Sequence, residues 1–242
     1  MMVEAKSLTE TIPQSLQGST ELLSKLIREL AGDHAKALAL YGLALDDAFD
    51  SAKQPARSVL VVDKVDLELL REISRHGLRL GKAGLAAPVV MTAKYMDESR
   101  DTFPLELIEI QQLHVMLFGD DHFEKLEFED RFVRLQCERD IKGIAIGLRQ
   151  GLLASAGRDR LLGSLEIDIG PALVRTMRGM LWLKKQRAHR TTAEILGEIE
   201  KVLERRLTGV RTAMNISADH GWPEFQRLYD DVEALGETVN GW

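Results

Sequence analysis

Carboxylates are the side chains of this sequence best placed to do chemistry. Asp46, Asp47 and Asp50 lie close together, Asp63 and Asp66 follow the apolar run SVLVV, and Glu106 and Glu109 alternate with leucine and isoleucine in LELIEI. Acids forced together repel one another, and a divalent cation relieves that repulsion. Asp46 and Asp50 would share one face of a helix, yet a solvated loop or a helix start gives the same acids an equally good reason to exist. The six histidines, at 34, 76, 114, 122, 189 and 220, make no HExxH or other close ligand spacing. His114 beside a strand and His122 after Asp120-Asp121 suggest an Asp-His acid/base or metal pair, against the simpler reading of a surface histidine near an acidic turn. Ser58, Ser155 and Ser164 stand outside a GxSxG elbow. Cys137 falls mid-helix in an apolar stripe, which suits an inert core thiol.

The elements that must carry these residues change character along the chain. Up to about Gly18 the sequence is polar and unpatterned, a loose segment. Leu22, Leu23, Leu26, Ile27 and Leu30 mark one helix face, with Ser19 or Thr20 available as its cap. AKALALY reads as a strand that turns sharply at Gly42, and LALDDAFDSAKQPA as a short helix and loop closed by Pro55. SVLVVD is a buried strand, with Asp63 or Asp66 able to cap the helix after it. GLRLGKAGLAA reads as a glycine-punctuated turn without phosphate-loop spacing. PVVMTA is a second strand, with Pro88 at its start or on a sheet edge. LELIEI alternates like a further strand, and HVMLFG follows as another. Strands separated by single helices predict a small α/β sheet covered by helices.

Beyond Phe128 the sequence is helical. Leu135, Ile141, Ile144, Ala145, Leu148 and Leu152 recur at helical spacing. Leu161 to Lys185 forms a longer stripe that Gly170-Pro171 should kink or break. Met177, Met180 and Trp182 there read as core. Thr191 with Glu194 fits a capping box, so a helix should start at Thr192. Pro223 suits the first turn of the last helix, whose stripe runs from Phe225 to Val239. Four apolar stripes in succession predict a bundle.

The whole is expected to be α+β: residues 1–18 loosely ordered, 19–127 a small mixed sheet with helices, and 128–242 a helical bundle. A formal net charge of -6 gives no long-range attraction to nucleic acid. Arg175, Arg178, Lys184, Lys185, Arg187, His189 and Arg190 still make a local basic patch, with salt-sensitive RNA or DNA binding as its functional reading and a solvated helix face and end as the bland one. No apolar run approaches the roughly 20 residues that a membrane-spanning helix needs, and the first residues lack a secretion signal's pattern. With a lone cysteine, a cytoplasmic address is the expectation.

The order ELLSKLIREL, KALALYG, SVLVVD resembles the opening elements of the nucleotidyltransferase superfamily, the polymerase-beta-like fold. FPLELIEIQQLHVMLFGDD and RLQCERDIKGIAIGLRQG resemble the later part of a bacterial and archaeal branch with an attached helical domain. The resemblance covers most of the chain and rests on segment order. It implies a helix, a strand ending in Gly-Ser, a strand carrying Asp-x-Asp, and a third carboxylate on a neighbouring strand. Together those acids hold two magnesium ions about 3.5 to 4 Å apart across the attacking and departing oxygens.

This sequence departs from that pattern at each point. Gly-Ser appears as Gly42-Leu43, and leucine has no hydroxyl for a phosphate. With VLVV matched to the family strand, Asp-x-Asp falls on Ala56-Arg57-Ser58. Glu106 or Glu109 matches the third acid and would stand alone. The resemblance therefore implies a degenerate member with no catalytic residues and no metal or cofactor, binding a ligand or a partner in a regulatory or structural role. The Gly42-Leu43 turn would line its cleft, and the bundle would mediate homo-oligomer or partner contacts. The alternative is an active enzyme that transfers a nucleoside monophosphate to a small molecule, an RNA end or a protein hydroxyl. It would need magnesium and a nucleoside triphosphate, with ligands drawn from Asp46, Asp47, Asp63, Glu106 and Glu109.

Overall fold

Two continuous apolar runs pair at the centre of a four-stranded sheet in the computed structural model, which describes residues 12–45, 49, 54–186, 191–215 and 220–242. Strand β1 (Ala35–Tyr41) is antiparallel to β2 (Arg57–Val62), with Ala39 opposite Val59 and Tyr41 opposite Arg57. β3 (Val89–Thr92) lies parallel to β2, and β4 (His114–Gly119) antiparallel to β1, giving the order β3-β2-β1-β4. The two middle strands are buried on both faces, which is why they read as unbroken apolar runs rather than alternating ones. Pro88 precedes the edge strand β3, where a missing N–H removes no ladder bond. β4 closes on β1 at Gly119, where φ is 82° and a Cβ would come 2.0 Å from the Lys36 carbonyl oxygen, so only glycine fits.

The chain divides into two compact units, one of residues up to Arg100 with Leu107–Glu127, the other of Asp101–Glu106 with Phe128–Trp242. In the first unit one sheet face is covered by α1 (Gln17–Ala31), α2 (Leu67–Ser74) and α3 (Gly77–Lys82). Leu38, Leu40, Ala56, Leu60 and Val62 share a core there with Leu23, Ile27, Ile73 and Leu80. Asp66 caps α2 by accepting from the Glu68 N–H at 2.9 Å. α4 (Ala93–Glu98) follows β3.

Several sequence expectations need correction, beginning with α1, which starts at Gln17 with Leu16 rather than Ser19 or Thr20 at its cap position. GLRLGK is the short helix α3 rather than a turn, with Leu80 buried. LELIEI is helical, forming most of α5 (Pro104–Gln112), rather than a strand. Leu105, Leu107, Ile108 and Ile110 are all buried in α5, so it is apolar nearly all round and shows no single-sided period. Pro104 sits at its first position, where its missing N–H is tolerated.

The second unit is built on α6 (Asp130–Ser155), α7 (Asp159–Leu183), α8 (Thr192–Leu203), α9 (Thr208–Ala213) and α10 (Trp222–Asn240). The short α9 adds a helix to the expected bundle. Cys137, Ile141, Ala145 and Leu148 form the buried stripe of α6, but Leu135 is 53% exposed and outside it. Burial raises the Cys137 thiol far above its ordinary range, as an inert core residue requires. Helix α7 runs unbroken through Pro171, and Leu173, Val174, Met177 and Met180 are buried just beyond it. Packing on that scale outweighs one lost backbone bond. The capping box is present: Thr191 Oγ1 accepts from the Glu194 N–H and Glu194 Oε2 from the Thr191 N–H. Among the described residues no helix is long and apolar enough to cross a membrane.

Between α8 and α10 two buried acids tie down the connections. Glu200 Oε1 accepts from the Leu207 N–H at 2.9 Å, and its two oxygens take a fork of N–H donors from Arg211 at 2.8 and 2.7 Å. Asp231 Oδ2 accepts from the N–H groups of Gly209 and Val210 at the start of α9. The Gly209 backbone lies against α10 so closely that a Cβ would come 2.1 Å from the Leu228 nitrogen.

Candidate functional site

Where β1 ends and β2 begins, the chain places a charged pair beside a glycine turn. Gly42 follows Tyr41 with φ at 73°, and its N–H donates to the Leu113 carbonyl at 2.8 Å. Arg57 opens β2 directly across from Tyr41. Its guanidinium lies over the Tyr41 ring, 4.8 Å from the centroid, and Nη2 is ion-paired with Glu109 Oε1. A Cβ on residue 42 would come 2.6 Å from Arg57 Nη2 and 3.0 Å from Glu109 Oε1. Gly42 is therefore favoured by its backbone angle, and a Cβ there would push aside the far ends of the paired Arg57 and Glu109 side chains. Leu43 sits half-buried in the single 3-10 turn Gly42–Leu45.

The strand alternation decides which side chains of 56–58 can reach this turn. Ala56 belongs to the apolar core under α1 and is fully buried. Ser58 is also fully buried, and its Oγ has no hydrogen-bond partner among the described residues. Ser58 shares the alternation of Ala56 and Leu60, so Arg57 is the member of this trio that faces the other way. A carboxylate at 56 or 58 would enter an apolar core.

The remaining sequence candidates scatter. Asp46 and Asp47 lie outside the described residues. Asp63 follows β2 at the end opposite Arg57, accepting from the Lys64 N–H at 2.7 Å and facing His34 Nδ1 at 3.0 Å. The His34 bond, reinforced by that N–H, holds the exposed Asp63 carboxyl below the usual range. His114 contacts Asp121, with Nε2 3.0 Å from Oδ2 and Nδ1 2.8 Å from the Ile110 carbonyl. Burial acts to raise the Asp121 carboxyl, but bonds from the Phe123 and Glu124 N–H groups and the His114 ring outweigh it and hold it low. This pair therefore closes the loop after β4, with both Asp121 oxygens engaged.

In the second unit Glu106 joins a different polar cluster. Gln136 Nε2 donates to Glu106 Oε2 at 2.7 Å, while Gln136 Oε1 accepts from the Leu105 N–H at 2.8 Å and so caps α5. Arg175 Nη1 stands 3.6 Å from Glu106 Oε1. Burial, opposed by Arg175 and assisted by Glu106, pushes the Asp140 carboxyl up. The atoms Asp140 Oδ2 and Arg175 Nε are buried without a hydrogen-bond partner among the described residues. Of the basic patch, Arg178 is buried, Lys185 pairs with Asp130 at 2.6 Å, and Lys184 covers the Trp242 ring. Arg187, His189 and Arg190 lie outside the described residues.

Among the described residues no group of three or more His, Cys, Asp or Glu side chains is arranged to hold a metal ion. Sequence reasoning named Glu109 but missed its partner, because Arg57 and Glu109 stand far apart along the chain and nothing local signals the pair.

No family model matches the sequence, and no curated protein matches it. Among solved structures, the chain is similar to spectinomycin adenyltransferase AAD(9) from Enterococcus faecialis, a structure that holds ATP and spectinomycin. The two share 9% sequence identity, with a TM-score of 0.58 over 92% of this chain and 98% of that one. This likeness is one of fold: the chain has the polymerase-beta-like nucleotidyltransferase fold with C-terminal helices.

Proposed function

We propose that this chain is a catalytically inactive nucleotidyltransferase-fold protein that binds a ligand or a protein partner in a regulatory or structural role. The observation that carries the reading is the Arg57–Glu109 pair beside Gly42. Two magnesium ions need several anionic oxygens converging on one place. Here the acid at the turn is already neutralised by a guanidinium, and the flanking positions 56 and 58 face the apolar core. These residues do not fit a paired-metal centre. A ligand bound at the Gly42 turn is accordingly expected to bind without a divalent ion.

Titration calorimetry of the full chain with ATP, GTP and CTP, with and without magnesium or manganese, tests the reading. The expected result is no metal-dependent binding of any of the three. Tight binding that requires the metal and is lost in Asp47→Ala would favour the active enzyme and defeat the proposal.

A further inference from the structure

We infer that the outer face of α6 and the groove between α6 and α10 form a two-fold interface with a second copy of this chain. Leu135, Ile146 and Leu153 lie on one side of α6 and are 53%, 51% and 82% exposed. An apolar row at helical spacing, left in water, gains by finding a matching surface. Beside it runs a groove with a volume near 290 Å³, floored by Ile141, Ala145, Val232 and Gly236, large enough to receive an aliphatic side chain.

Self-complementarity identifies the occupant. Leu135 and Leu153 are equally distant along α6 from Ile144, so a two-fold axis at that level sets Leu135 of one protomer against Leu153 of its partner, twice. α10 runs antiparallel to α6, because Arg149 meets Tyr229 and Glu233 while Ile141 meets Gly236. The same axis therefore brings Arg139 of one copy level with Asp230 of the other. The charges left over match in sign: Lys142 is already paired with Glu138 and Glu233 with Arg149, which leaves Arg139 exposed on α6 and Asp230 on α10. Neither Arg139 nor Asp230 has an ion-pair partner among the described residues. A base on one helix and an acid on its neighbour, set level by the axis, satisfy each other in both halves of an isologous dimer.

Sedimentation velocity on the full chain tests this. The wild-type protein should sediment at twice 27.1 kDa at micromolar concentrations. Leu153→Arg, at an exposed position, should keep its circular dichroism spectrum and melting temperature while the dimer constant weakens about tenfold or more. Arg139→Glu should weaken it as well, and adding Asp230→Arg to that variant should restore it. A wild-type monomer at about 100 μM overturns the inference, as does a dimer indifferent to Leu153→Arg or a charge exchange that fails to restore association. The inference is independent of the proposed inactivity at the Gly42 turn, which the nucleotide titration reads separately.

Discussion

Glu200→Gln should cost the helical unit roughly 2 to 3 kcal/mol at neutral pH, and that loss should vanish in acid. Glu200 is 8% exposed and serves three donors at once: the fork of Arg211, Arg206 Nη1 at 3.3 Å and the buried Leu207 N–H. The Arg211 bonds come first among the causes that bring its carboxyl down to about 2 from an ordinary 4.5. A carboxyl whose folded pKa is depressed contributes stability above its unfolded pKa and loses it as pH falls through the folded one. The window here is about pH 4.5 down to pH 2. Glutamine keeps the shape and an acceptor for Leu207 but forfeits the charge-assisted fork. Urea unfolding of both proteins at pH 7, 4.5 and 3 should show their gap closing with acid. A gap that stays constant with pH would mean that the ionised Glu200 contributes nothing through its arginines. Glu200→Ala should be worse at every pH, since it leaves the Leu207 N–H buried without an acceptor.

The same residues show what local sequence can and cannot disclose. Thr191 and Glu194 satisfy each other three positions apart, so their helix start is legible from the residues alone. β1 and β2 are legible because a strand buried on both faces leaves an unbroken apolar run. Helix α5 is not, because alternation in LELIEI mimics a strand while the signal that starts the helix comes from Gln136, 31 residues away. Helix α9 has six residues and is too short to announce itself; its first N–H groups depend on Asp231, 22 positions from Gly209. The turn at Gly42 is a local feature, yet what it accommodates is a pair separated by 52 residues. Secondary structure in this chain is therefore legible where caps and runs are local, and the site is hidden where it depends on tertiary contact.

That tertiary pair yields the second large effect. Arg57→Ala should destabilise the protein by about 2 kcal/mol or more, because Glu109 is 6% exposed and would keep an unpaired charge. Arg57 itself is a third exposed, which screens the interaction and keeps the loss below that of a fully buried pair. Removing both charges as Arg57→Met with Glu109→Leu should recover most of the loss, since no stranded ion is left. The two single changes together should cost clearly more than the double one, a coupling of about 1 to 3 kcal/mol in unfolding experiments. Additive effects would show that the guanidinium and the carboxylate do not depend on each other. Arg57→Asp carries the argument to chemistry: it sets a second carboxylate beside Glu109 at the Gly42 turn and exchanges a fixed positive charge for a cation site. Manganese, followed by electron paramagnetic resonance, should remain free with the wild-type chain and become bound in Arg57→Asp. Binding of equal strength to both would show that the guanidinium does not stand where a metal would, and the inactive reading would lose its support.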